Sequence, residues 1–156
     1  MLKIGLVGCG KKKAVVRNNE MIPACDLYVG DLFKKRRELM ESRGLSWYIL
    51  SAKSGAITPS TPLRSYDERL KSNATSLDVA EWHLCVANQL MTHLYYDHSV
   101  SDLTAVAIEL HAGKHYCEPL ATILQTVGIS VLWPVFGMGI GQQLKFYSEE
   151  LASLKK

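Results

Sequence analysis

Four short stretches hold residues that can do chemistry, and each follows an apolar run. Gly8-Cys9-Gly10-Lys11 follows residues 2–7, and Ser51-Ala52-Lys53-Ser54-Gly55 follows residues 47–50. His111-Ala112-Gly113-Lys114-His115 and Gly137-Met138-Gly139-Ile140-Gly141-Gln142 close the runs 103–110 and 129–135. Glycine lets backbone N–H groups approach an anion closely, and lysine brings charge to a phosphate or carboxylate. Gly8, Gly10, Lys11, Ser51, Lys53, Ser54, Gly55, Gly137, Gly139 and Gly141 are therefore candidate ligand-binding residues. Lys11 to Lys13 read either as lysine turned onto an anion or as a solvated charge run, and Lys53 either as a phosphate contact or as a turn lysine.

Proton transfer needs a carboxylate or an imidazole. Asp67, beside Tyr66 on a long Pro-punctuated loop, is a candidate base or ribose-hydroxyl acceptor; a helix cap ahead of Arg69-Leu70 is the plainer role. His111 or His115 can serve as an acid/base group or a phosphate contact. Cys9 can act as a nucleophile or fill space as a small hydrophobe. Tyr28 can stack on a base or pack under the next helix. Gln142 can bond a base edge or simply start a helix.

Several familiar motifs fail on context. Gly5 to Lys11 nearly matches a phosphate loop, but Lys12 stands where the magnesium-binding Ser or Thr belongs. Gly137 to Gly141 follows the last strand and lacks the Rossmann spacing. His111 and His115 have Gly113 between them and no evident third ligand, so no metal is expected. No organic cofactor is implied.

The elements that must position these residues alternate strand and helix. Helices are expected from Asp31 to about Arg43, from Ser76 or Asp78 to about Tyr96, from about Tyr116 to Val127, and from about Gly141 to Leu154. In the first, Leu32, Phe33, Leu39 and Met40 face inward and the basic cluster outward. In the second, Val79, Trp82, Val86, Leu90 and Leu94 make one core-facing stripe. Trp133 also reads as core. The order predicts one α/β domain over residues 1–156, a three-layer α-β-α sandwich with a mostly parallel sheet of about four strands. Ligands bind beyond the carboxyl ends of such strands, where all four chemical stretches fall.

A formal charge of +3 is too small to establish nucleic-acid binding. No apolar run approaches the roughly 18 residues that span a bilayer. The N-terminal apolar run is too short for a signal peptide and enters Lys11-Lys12-Lys13 directly. Four cysteines without a CxxC pair fit reduced thiols in a cytoplasm. Nothing marks an oligomer interface.

The motif set has a family likeness. Gly8-Cys9-Gly10-Lys11, Ala24-Cys25-Asp26-Leu27-Tyr28 with Asp31-Leu32-Phe33, Ile49-Leu50-Ser51-Ala52-Lys53-Ser54-Gly55 with Tyr66-Asp67, and Gly137 to Gln142 resemble an uncharacterised family of bacterial and phage domains. Two departures stand out: Gly10 replaces a serine, and Ser54 replaces a histidine that, if catalytic in relatives, leaves this site altered. The family is distantly similar to YaaA-type stress proteins and to domains found with enzymes that modify nucleobases.

That resemblance implies nucleotide chemistry. The expectation is an enzyme acting on a nucleotide, nucleoside or modified nucleobase by glycosidic cleavage, base exchange or group transfer. Lys11, Lys53 and the 137–141 loop would hold an anionic group, Asp67 with His111 or His115 would move protons, and Cys9 and Tyr28 would line the base side. The alternative is a non-catalytic module that binds a nucleotide, or binds nucleic acid through Lys34 to Arg37.

Overall fold

A computed structural model describes residues 1–10, 12–16, 20–65 and 76–156. Lys11, Tyr66 and Asp67 lie outside the described residues.

Strand β1 (Leu2–Gly8) is the middle of a five-stranded sheet. With helices on both faces it must be apolar on both, which its continuous apolar run provides. It pairs in parallel with β3 (Ser46–Ser51) and β6 (Val106–His111), and β6 pairs in parallel with β7 (Ser130–Leu132). These are the four expected strands; a short fifth, β4 (Gly55–Ile57), turns back antiparallel on β3 and completes the order β4-β3-β1-β6-β7. Gly55, at φ +78°, makes that reversal. A separate two-stranded sheet joins β2 (Ile22–Pro23) to β5 (Pro62–Leu63), and a short helix α1 (Ala24–Leu27) follows β2.

Helices α2 (Asp31–Ser42) and α5 (Ile140–Leu154) share one face with Val7, Ile49 and Val135. Helices α3 (Ser76–His98) and α4 (Lys114–Thr126) cover the other, against Ile4, Leu6, Leu50, Ile108 and Leu110. The alternation along β6 thus sends Ile108 and Leu110 to the α3/α4 side and leaves Glu109 and His111 for the α2/α5 side. The last two strands are shorter than their apolar runs: Leu103–Ala105 is a 3₁₀ turn before β6, and the chain leaves β7 after Leu132.

From β1 the chain moves to β3 on one side, then crosses back to β6 on the other. The crevice of such an arrangement opens above the carboxyl ends of the two strands where the direction reverses, here β1 and β6.

Candidate anion-binding cleft

A cleft of about 390 Å³ opens at this end of the sheet. Its polar side is Ala112, Gly113 and Lys114, where β6 passes into α4, together with Gln143 from the first turns of α5. No side chain caps α4 at Gly113, so its first N–H groups and positive helix end are available to an anion. Lys114 adds a charge at the rim, 3.7 Å from Glu118. The apolar side is Trp133, Val135, Phe136 and Met138. Trp133 and Phe136 meet edge to face with centroids 4.9 Å apart, and Phe136 is 69% exposed. Gly137 adopts φ +74° in the turn between Phe136 and Met138.

Behind the polar wall lies a buried charged network. Arg36 reaches in from α2 with 5% of its surface exposed and donates from Nη2 to Gln143 Oε1 at 2.7 Å. Its guanidinium lies over the Tyr147 ring, 5.9 Å from the centroid, and its Nε has no hydrogen-bond partner among the described residues. The whole basic cluster was expected to face outward; Arg36 is the correction. It falls three residues after Phe33 and four before Met40, on the apolar face, so helical phase takes it inside while Lys34 stays exposed.

His111 is fully buried and bonded at both nitrogens: Nε2 to Glu109 Oε1 at 2.6 Å, Nδ1 to Tyr147 Oη at 2.8 Å. Burial lowers its pKa from the ordinary value, outweighing the attraction of Glu109. Burial pushes Tyr147 up to about 12, so its hydroxyl keeps its proton. The neutral imidazole therefore donates from Nε2 to Glu109 and accepts at Nδ1 from Tyr147. Burial pushes the Glu109 carboxyl up, but the bonds from His111, Arg43 and Lys3 outweigh it and hold the group well below the usual carboxylate range. Arg43 Nη1 donates to it at 2.8 Å, and Lys3 Nζ lies 3.1 Å away.

The other residues singled out in the sequence fall in three places. Gly8 sits under the cleft, where an added Cβ would stand 2.8 Å from the Ala112 Cβ and 3.6 Å from Arg36 Nη1. Cys9 Sγ is 3.7 Å from Tyr116 Oη, and Gly10 has open space where a side chain would be. His115 is exposed on the first turn of α4.

A second group belongs to the β3–β4 turn, outside the residues that line the cleft. Ser51 Oγ accepts from the Ser54 N–H at 3.1 Å, Lys53 is exposed, and Gln89 occupies the space beside Gly55. The third group is structural in its contacts. Tyr28 is buried against Phe33, with centroids 5.2 Å apart. Gln142 Oε1 accepts from the Gly139 N–H at 3.0 Å at the start of α5, and Gly141 is exposed in its first turn.

Sequence reasoning missed Arg36, Glu109, Gln143 and Tyr147; Trp133 packs against the core as expected and also walls the cleft. The signals were present: a charged residue in helical phase with an apolar stripe, and a glutamate two before a histidine in a buried strand.

The four cysteines are free thiols; Cys117 is pushed up to about 12 by burial. Among the described residues, no group of three His, Cys, Asp or Glu side chains could hold a metal ion, and no helix is long and apolar enough to cross a membrane.

A family model matches residues 4–149, from the first strand to the last helix. The chain belongs to DUF6884, a family of unknown function. The DUF6884 match contains every residue of the cleft and, Lys3 apart, of the network behind it. No curated protein and no solved structure matches the chain.

Proposed function

We propose that the protein is an enzyme acting on a nucleotide, nucleoside or modified nucleobase, with its ligand in the cleft at the carboxyl ends of β1 and β6. The observation that carries this reading is the two-sided wall. One side offers an uncapped helix start and Lys114 for an anion; the other offers the Trp133–Phe136 corner for a planar ring. About 390 Å³ lies near the small end of ligand sites, suited to a mononucleotide-sized molecule rather than a polymer. The distant similarity of the sequence motifs to YaaA-type proteins and to nucleobase-modification domains supports the same class of ligand. Four free thiols agree with a cytoplasmic setting.

Cleavage or exchange at the sugar–base bond, or group transfer to the base, fits such a ligand. His115 on the first turn of α4 offers an exposed imidazole for proton transfer, and Asp67 is the proposed base. His111, enclosed by Glu109 and Tyr147, acts as a positioning residue.

A second reading is a nucleotide-binding module without catalysis, and the engagement of both His111 nitrogens favours it. Binding of nucleic acid through Lys34 to Arg37 is weakened by the contacts of that cluster. Arg36 is buried, Arg37 pairs with Asp26 and Glu41, and Lys35 bonds Ser148.

The test is thermal melting against nucleotides, nucleosides, modified bases, sugar phosphates and short DNA. A ligand at about 100 times its dissociation constant adds about 2.7 kcal/mol, a readable shift. A nucleotide or base hit, followed by turnover of that compound, supports the enzyme; a hit without turnover supports the module. A salt-sensitive response to DNA alone removes both.

A further inference from the structure

We infer that Arg36 is the receptor for a phosphate monoester, and that Gln143 holds the place of one phosphate oxygen until the ligand arrives. This rests on the nucleotide reading and narrows it, from any nucleoside or base to a ligand carrying a phosphate.

Arginine stays protonated in a protein interior. Its burial is costly unless an opposite charge accompanies it. Arg36 has no carboxylate partner among the described residues; its acceptors, the Gln143 amide and the Tyr147 hydroxyl, are neutral, and its Nε has none. The nearest buried carboxylate, Glu109, is taken by Arg43, Lys3 and His111. With His111 neutral, the network holds the cations Lys3, Arg36 and Arg43 against one carboxylate. The surplus charge lies at Arg36, directly behind the cleft.

The guanidinium is oriented for this task. One side lies on the Tyr147 ring, while its Nη groups meet Gln143, a cleft residue, and the place beneath Gly8. Glycine at position 8 keeps that approach clear, since a Cβ there would clash with Ala112 at 2.8 Å and fill the space up to van der Waals contact with Nη1. Gln143 also donates from Nε2 to Met138 O at 3.0 Å, so its Oε1 leaves Arg36 by pivoting the amide about that second bond. A tetrahedral oxyanion then meets Arg36 from within and the α4 start from without.

The test compares inorganic phosphate, ribose 5-phosphate, nucleoside 5′-monophosphates and the matching nucleosides by thermal melting and calorimetry. For wild type, phosphate raises the melting temperature, and each nucleotide binds about tenfold to hundredfold tighter than its nucleoside. Arg36→Met melts at or above the unliganded wild type, because an unpaired cation has been removed, and loses the phosphate response. Gln143→Ala binds phosphate at least as tightly as wild type. An Arg36→Met variant that keeps the phosphate response overturns the inference.

If Arg36→Met fails to fold, the wild type answers alone. The Arg36 Nε–H resonance shifts on adding inorganic phosphate if the assignment is right, and an unmoved resonance sinks it. Two failures stay separate. Equal binding of ribose 5-phosphate and nucleotides keeps the anion site and removes the nucleotide reading. Nucleosides that bind as well as nucleotides, undiminished in Arg36→Met, remove the anion site alone.

Discussion

Glu109 and His111 stand two residues apart on one face of β6, with the imidazole Nε2 2.6 Å from the Glu109 carboxylate. This contact fixes which nitrogen carries the proton, and hence which way the Tyr147 hydroxyl points. It also gives the fold a pH dependence. His111 is lowered from 6.5 in the folded state, so the unfolded chain takes up a proton that the native state refuses. Glu109 is lowered from 4.5, so in stronger acid the unfolded chain again binds more protons. Both act in one direction. Stability is retained above about pH 6.5 and falls as the pH drops, through His111 first and Glu109 below about pH 4.5. Urea titrations at stepped pH should show wild type losing more stability between pH 7 and 5 than His111→Gln; parallel curves would contradict this.

Tyr147→Phe removes the donor to His111 Nδ1 and leaves a buried acceptor unsatisfied. The expected loss is about 1–3 kcal/mol in urea unfolding. An unchanged midpoint would show that the 2.8 Å bond contributes nothing net.

Gly8→Val places branched carbons against Ala112 and the Arg36 guanidinium. Overpacking of this kind costs about 1–3 kcal/mol. The variant should also lose its response to phosphate, since the path to Nη1 is filled. Wild-type stability and phosphate binding would show that the approach does not run beneath Gly8.

Phe136→Ala separates ligand binding from folding. At 69% exposed, Phe136 gives the fold little, so stability should change by only about 0.5 kcal/mol. Loss of a stacking surface weakens a base-bearing ligand by about 1–3 kcal/mol. Calorimetry decides it, and unchanged affinity would move the heterocycle away from the aromatic corner.

Asp67→Asn should abolish turnover of whatever compound the melting panel identifies, while circular dichroism and melting stay near wild type. Normal turnover would remove Asp67 as the base.

The layers were legible because burial writes itself into period. Residues 2–7 read as a buried first strand, and the fold places that strand in the middle of the sheet. β4 was not legible, since three residues that begin with a glycine carry no periodicity to detect, and their pairing with β3 is a tertiary event. The site was read in part. Glycine-rich strand ends pointed to the end of the sheet where the cleft opens, and Gly8, Gly113 and Gly137 border the cleft or its floor. Linear proximity said nothing of Arg36 meeting Gln143, which lies 107 residues further on. In a run of four basic residues, only the helical phase distinguishes the one that turns inward.

The β4 edge is closed in an unusual manner. Ala56 N–H donates to Gln89 Oε1 at 2.7 Å, and Ala56 O lies 3.0 Å from His93 Nε2. Side chains of α3 thus occupy the hydrogen-bonding groups that a bare edge strand would offer to a neighbour. The helix acts as a molecular stopper: the sheet cannot grow by strand addition at Ala56, so self-association through amyloid-like edge pairing is blocked there by two side chains rather than by charge or proline.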